Sequence, residues 1–139
     1  MNTHPVRHCS NGLIKEAFIT YKITIIEDEQ AEQKTLRFIL EKERYITAAY
    51  TSGYKAIEAI KKDPPDLVIL DLKLPDIDGI EVCKILKKDK ELKDIPVIMV
   101  SGRSMDEQAG LKSGAEYYLS KPYMPDELIN TIKAILNPE

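Results

Sequence analysis

Apolar runs and amphipathic stretches alternate along this chain at a regular spacing. Ile23-Thr24-Ile25-Ile26 is β-branched throughout, and Leu67-Val68-Ile69-Leu70 and Val97-Ile98-Met99-Val100 are uninterrupted apolar runs. Strands buried on both faces read this way, because a parallel sheet covered by helices leaves neither side to water. Two weaker strands are expected at Tyr45 to Thr51, where Ala48-Ala49 sits in the middle, and at Glu116 to Ser120. Between the strands the apolar residues take helical spacing. Leu36, Ile39 and Leu40 lie within Gln30 to Glu43, and Ala56, Ile57 and Ile60 within Gly53 to Lys62. Val82, Cys83, Ile85 and Leu86 lie within a stretch from Gly79 to about Lys88, and Leu128, Ile129, Ile132, Ile135 and Leu136 within Met124 to Leu136. A shorter helix fits Met105 to Lys112. Ser52 and Asp78 are candidate N-caps, Pro64-Pro65 ends the second helix, and Ser113-Gly114 ends the fourth.

Five strands alternating with five helices predict one α/β domain with right-handed crossovers and a doubly wound parallel sheet. Residues 1 to 20 stand apart from it. Pro5 and Asn11-Gly12 break any long pattern there, so a poorly ordered extension or a short helix is expected ahead of a domain at 21 to 139. His4, His8 and Cys9 make no metal set, since Pro5 disrupts the helix that would align the two histidines.

With 139 residues the chain buries a core without staples. Its 20 Lys+Arg against 23 Asp+Glu leave a net charge of −3, which provides no basic field for nucleic acid or an anionic membrane. Cys9 and Cys83 fit neither a metal spacing nor a disulfide framework, which suits a reducing compartment. No apolar run approaches the roughly 20 residues that span a bilayer. A cytoplasmic protein acting away from nucleic acid and membrane is expected.

The strands deliver polar groups to a common edge. Glu27 and Asp28 follow the first, Asp71 ends the third, Ser101 follows the fourth and Lys121 the fifth. In open α/β sheets that edge is where ligands bind. Carboxylates crowded together either hold a proton or recruit a cation, and a hard divalent ion such as Mg²⁺ suits oxygen ligands, including a backbone carbonyl just past Asp71. Lys121 is able to neutralise a carboxylate or a phosphate, Ser101 offers a hydroxyl, and Gly102 allows close approach of a backbone N–H. The set suits a tetrahedral oxyanion beside a metal. Taken singly, each residue has a plainer reading: helix N-terminal charges for Glu27, Asp28 and Glu29, a cap for Ser101, a solvated cation for Lys121, a strand aromatic for Tyr118. Glu29, Asp76 and Asp78 are assigned such turn and cap roles.

Four motifs in order bring a resemblance: Ile25-Ile26-Glu27-Asp28-Glu29, Leu70-Asp71-Leu72-Lys73-Leu74-Pro75-Asp76-Ile77-Asp78-Gly79, Met99-Val100-Ser101-Gly102, and Tyr118-Leu119-Ser120-Lys121-Pro122. From Lys22 to about Asn137 the chain resembles the CheY-like receiver domain of two-component response regulators. The resemblance implies a flavodoxin-like (βα)5 sheet in the order 2-1-3-4-5. It implies that Asp71 is the phosphoacceptor, that Glu27, Asp28, Asp71 and the backbone carbonyl of Lys73 hold Mg²⁺ or Mn²⁺, that Ser101 binds the phosphoryl group and that Lys121 pairs with it. Tyr118 matches the switch aromatic that swings inward when the hydroxyl residue moves, and Lys121-Pro122 matches a cis peptide. The implied phosphoryl donor is a sensor histidine kinase or a histidine phosphotransfer protein. The implied output is a changed face of the fourth helix, fifth strand and fifth helix, open to a downstream protein or a second copy. Such a domain is a signalling module, not an enzyme beyond its self-catalysed phosphoryl transfer and dephosphorylation.

Some positions depart from the common family pattern. Glu27 stands where Asp is more frequent, and Gly102 where Ala is common. Lys73 and Arg103, each two residues past a site residue, are both basic and occupy positions that, the resemblance implies, flank the path of the hydrolytic water, so they are expected to alter the lifetime of the phosphorylated state. The spacing from Ser101 to Lys121 is slightly short, so a short or irregular fourth helix is expected. The last helix is expected to close the chain with no output domain in these residues. Two other functions stay open: a receiver-like module that works by docking alone, and a haloacid dehalogenase-type phosphotransferase. Asp71, Asp28 and Lys121 count against the first. The second needs another Asp two residues past its nucleophile, where this chain has Lys73.

Overall fold

Apolar continuity decides which strands lie in the middle of the sheet. In the computed structural model, which describes residues 19–137, the elements are β1 (Lys22–Ile26), α1 (Gln30–Lys42), β2 (Ile46–Tyr50), α2 (Gly53–Lys62), β3 (Leu67–Asp71), α3 (Gly79–Lys88), β4 (Val97–Ser101), α4 (Glu107–Lys112), β5 (Tyr117–Ser120) and α5 (Pro125–Leu136). A 3-10 turn, Ser104–Asp106, precedes α4. The expected extension, with His4, His8 and Cys9, lies outside the described residues apart from its last two positions. All strand pairs are parallel, in the order β2-β1-β3-β4-β5. Every residue of β3 and β4 is buried, as their unbroken apolar runs require. Ala48-Ala49 belongs to β2, an edge strand with only one neighbour and less side chain to bury.

The period of two along each strand sorts the core into two layers. Ile26, Val68, Leu70, Val97 and Met99 pack with Ala56, Ile60, Val82 and Leu86 of α2 and α3. Ile23, Ile25, Leu67, Ile69, Ile98 and Val100 face Leu36, Leu40, Leu128 and Ile132 of α1 and α5. At the amino ends of the strands, Lys87 Nζ donates to the carbonyls of Ile95 at 2.8 Å and Lys93 at 3.1 Å and pairs with Glu116 at 3.0 Å. Glu116 also accepts the Val97 N–H at 2.8 Å, and β5 begins one residue later than the sequence pattern indicates.

The capping signals act where expected. Ser52 Oγ accepts the Lys55 N–H at 3.2 Å and Asp78 Oδ1 the Ile80 N–H at 2.8 Å. Gly114, closing α4, has a φ of +115° that a side chain disfavours. The fourth helical segment differs from one continuous helix over Met105 to Lys112: it divides into the 3-10 turn and a six-residue α4. The short link between β4 and β5 leaves room for little more.

One backbone feature has no sequence signal. Arg44, just past α1, takes a φ of +72° while its N–H and that of Tyr45 return to the carbonyls of Glu41 and Leu40. This is the left-handed closure that glycine makes without steric cost. Arg44→Gly is expected to raise stability by about 0.5 to 1 kcal/mol, read as a higher urea midpoint at unchanged slope.

Candidate functional site

Strand register assembles the site. β1 and β3 are neighbours with Ile26 opposite Leu70, which places Glu27 and Asp28 beside Asp71. β4 and β5 pair Ser101 with Ser120, so Lys121 emerges next to Ser101. β1 lies between β2 and β3, at the point where the order reverses and the crossovers leave in opposite directions, and a crevice opens there. A bowl of about 420 Å³ fills the crevice. Of the residues singled out by sequence, Glu27, Asp28, Asp71, Lys73, Ser101 and Lys121 line it, joined by Glu29, Glu32, Gly102 and Arg103. Tyr118 lies behind, buried against the α3 side of the core.

Burial and like charge dominate the electrostatics. Glu27 is 3% exposed and Asp71 7%, and oxygens of Glu27, Asp28 and Asp71 lie within 4.8 Å of one another. Burial, with the Asp71 charge adding to it against the Glu29 N–H bond, pushes the Glu27 carboxyl up to about 8. Burial also raises Asp71, though Lys121 works against it. Lys121 Nζ lies 2.7 Å from Glu32 Oε1, 3.3 Å from Asp71 Oδ1 and 3.5 Å from Glu27 Oε1. Burial opposes that ammonium, but the hydrogen bond to Glu32 and the charges of Asp71 and Glu27 outweigh it and strengthen its hold on the proton. The Lys121 hydrogen bond in turn keeps the Glu32 carboxyl below its ordinary range. One ammonium does not balance this many acids. Three carboxylate oxygens within 4.8 Å, more charge than one ammonium offsets, make an oxygen site of the kind a hard divalent cation occupies, so the donor set fits Mg²⁺.

The surrounding loops are tied down at specific atoms. Gly79 returns its N–H to the Leu72 carbonyl at 3.1 Å, and a Cβ on it would stand 2.7 Å from the Asp71 carbonyl oxygen. The glycine of the motif is thus set by close approach to the strand that carries Asp71. Ser101 Oγ accepts the Arg103 N–H at 3.1 Å, and the Tyr118 hydroxyl donates to the Arg103 carbonyl. Both polar groups of one residue are held by two of the predicted switch side chains. Lys121-Pro122 is cis. Gly102, by contrast, has nothing near its missing Cβ.

Two residues escaped the sequence reading. Glu32 meets Lys121 across 89 positions, a pairing that helical spacing in α1 does not announce. Asp76, read as a turn or cap residue, caps a helix other than the one it precedes. Its carboxylate accepts from Ser52 Oγ at 2.6 Å and from the N–H groups of Gly53 at 2.9 Å and Tyr54 at 3.0 Å, at the start of α2. The loop after Asp71 is thereby fastened to the neighbouring helix.

An acidic switch-point bowl on a five-stranded flavodoxin-like sheet defines a protein of the CheY-like class. The chain belongs to the response regulator receiver domain family, whose model matches residues 23–133, and it is a receiver domain of two-component signalling. The polar-differentiation response regulator DivK of Brucella ovis is 38% identical over 120 residues, covering 85% of this chain and 98% of the relative. Among solved structures, the signal receiver domain of a histidine kinase from Syntrophus aciditrophicus is 31% identical with a TM-score of 0.80, covering 85% of this chain and 91% of that one. A CheY-like receiver domain protein from Methanospirillum hungatei is 28% identical with a TM-score of 0.79, covering 86% and 95%. No helix among the described residues is long and apolar enough to cross a membrane.

The Asp76 cap has a pH signature. The Ser52 hydroxyl first, then the Tyr54 and Gly53 N–H groups, hold its carboxyl down at about 2. A group lowered on folding stabilises above its unfolded value, about 3.9 for Asp, and loses that contribution as pH falls through the folded one. Asp76→Asn is expected to lower stability by about 1 kcal/mol at neutral pH, as loss of a helix cap does. The gap between the urea midpoints of the two proteins should close as pH drops from about 4 to about 2.

Proposed function

We propose that Asp71 accepts a phosphoryl group from a phosphohistidine carried by a sensor histidine kinase or a histidine phosphotransfer protein. The observation that carries the proposal is the position of this nearly buried aspartate, with the Lys121 ammonium at 3.3 Å and oxygens of two further acids within 4.8 Å. Glu27, Asp28, Asp71 and the backbone carbonyl of Lys73 would hold Mg²⁺, with Mn²⁺ able to take its place, because all four offer oxygen. An ion held by these residues would supply positive charge to the oxygens of the incoming phosphoryl group.

The chain's own residues do the rest by placement. Asp71 attacks as a carboxylate, so no proton has to be removed from the nucleophile. Its oxygen bonds to phosphorus as the N–P bond of the donor breaks and the imidazole departs. Lys121 opposes the effect of burial on Asp71 and then faces the new phosphoryl oxygens. Ser101, whose oxygen accepts the Arg103 N–H, still has its hydroxyl proton to donate to the phosphoryl group. Water later hydrolyses the acyl phosphate and restores the resting state.

The switch follows from the double hold on Arg103. A Ser101 drawn toward the phosphoryl group pulls on the Arg103 N–H, and Tyr118 holds the other side of the same residue. Gly110 of α4 lies against the Tyr118 ring, where a Cβ would stand 3.2 Å from Cδ2. Movement at the β4 end thus reaches α4 and β5, and the α4-β5-α5 face is the surface we assign to a downstream protein or a second copy. The buried, unpaired thiol of Cys83 supports work in the reducing cytoplasm.

Acetyl phosphate with Mg²⁺ should add the mass of one phosphoryl group to the wild type, and none to Asp71→Asn or to wild type treated with EDTA. An unchanged wild-type mass would leave a module that works by docking alone. Lys73→Ala and Arg103→Ala are expected to shorten the half-life of the labelled protein severalfold, because both side chains line the bowl that the hydrolytic water must enter. Decay at the wild-type rate in both variants would remove that role.

A further inference from the structure

Lys121 is shared in a way the proposed reaction does not require. Its Nζ sits 2.7 Å from Glu32, closer than its 3.3 Å to Asp71, and Glu32 is the more exposed of the two acids, with 43% of its side chain in contact with solvent. Glu32 lies in the first turn of α1, and its carboxylate reaches Lys121 across the rim of the bowl that Ser101 and Asp71 also line. Both members of the pair line the bowl and also an adjoining groove along α1. A released Glu32 side chain therefore has open space to turn into. An ammonium that must face phosphoryl oxygens on Asp71 has to lengthen or give up this short charge-assisted bond.

We propose that Glu32 is a positioning residue that competes with Asp71 for Lys121 and thereby holds the domain in its unphosphorylated state. The inference deepens, and rests on, the reading of Asp71 as phosphoacceptor. A contact present only in the unmodified state stabilises that state relative to the phosphorylated one, slows entry into it and lowers the labelled fraction at steady state. Asp71 and Glu32 draw on the same ammonium, at 3.3 Å and 2.7 Å, so a Lys121 held by Glu32 is less free to face Asp71.

Glu32→Gln keeps the length and removes the charge; Glu32→Asp keeps the charge and loses the reach. With acetyl phosphate and Mg²⁺, both variants are expected to raise the maximal labelling rate by about two- to fivefold, the effect of releasing a half-exposed ion pair, with the half-saturating concentration changed by less than about 1.5-fold. In metal-free wild type, the Lys121 ammonium should give a slowly exchanging nitrogen-correlated proton signal that both variants lose. A Glu32→Asp that labels like wild type, beside a Glu32→Gln that acts only through the half-saturating concentration and only at low salt, would mean a field effect on the anionic donor and overturn the proposal. Unchanged rates in both variants, or an ammonium signal that persists in Glu32→Gln, would overturn it as well. A wild type that takes up no phosphoryl group would instead overturn the reading of Asp71, and the ammonium signal would still decide whether Glu32 holds Lys121.

Discussion

Too much negative charge meets at one end of β1 and β3. Because these strands are neighbours, Glu27, Asp28 and Asp71 are forced together in a partly dry crevice, and the free energy of that crowding governs what surrounds it. Lys121 is drawn in from the far edge of the sheet and shared among three acids. The same crowding makes room for a divalent cation and makes an added phosphoryl group matter. A site already near its electrostatic limit responds to any change of charge by moving the groups that balance it.

The rest of the fold keeps the crowding from dispersing. β3 and β4, with every residue buried, anchor the strands whose ends carry Asp71 and Ser101. The loops are fastened at single points: Gly79 against the Asp71 carbonyl, Asp76 on the first turn of α2, Arg103 between Ser101 and Tyr118. In the link from β4 to α4, a Cβ on Gly102 would meet nothing within 4 Å, and a 3-10 turn leads into a six-residue helix.

Much of the fold was legible because its signals are local. Alternation and helical spacing are properties of neighbouring residues, so the strands, the helices, and the caps at Ser52 and Asp78 could be read directly. Strand ends carrying acids, a hydroxyl and a lysine pointed to one edge because parallel strands end together. The split of the fourth helical segment was only partly legible, since its short spacing signals irregularity but not the 3-10 turn at Ser104–Asp106. Arg44 in a left-handed conformation was not legible at all: its residue type argues against it, and the bonds back to Glu41 and Leu40 enforce it.

By itself the sequence determined the five-fold strand and helix alternation, the families of residues that share a face, and which chemistry stands at the strand ends. Each of these depends on separations of a few residues and survives in any fold that keeps the pattern. Tertiary structure alone decided that Glu32 pairs with Lys121, that Asp76 caps α2, and that Ser101 and Tyr118 both grip Arg103. Those pairings join residues from separate elements, most of them many positions apart. No periodicity encodes them, because they exist only after packing has fixed which loops meet and how far each side chain can reach.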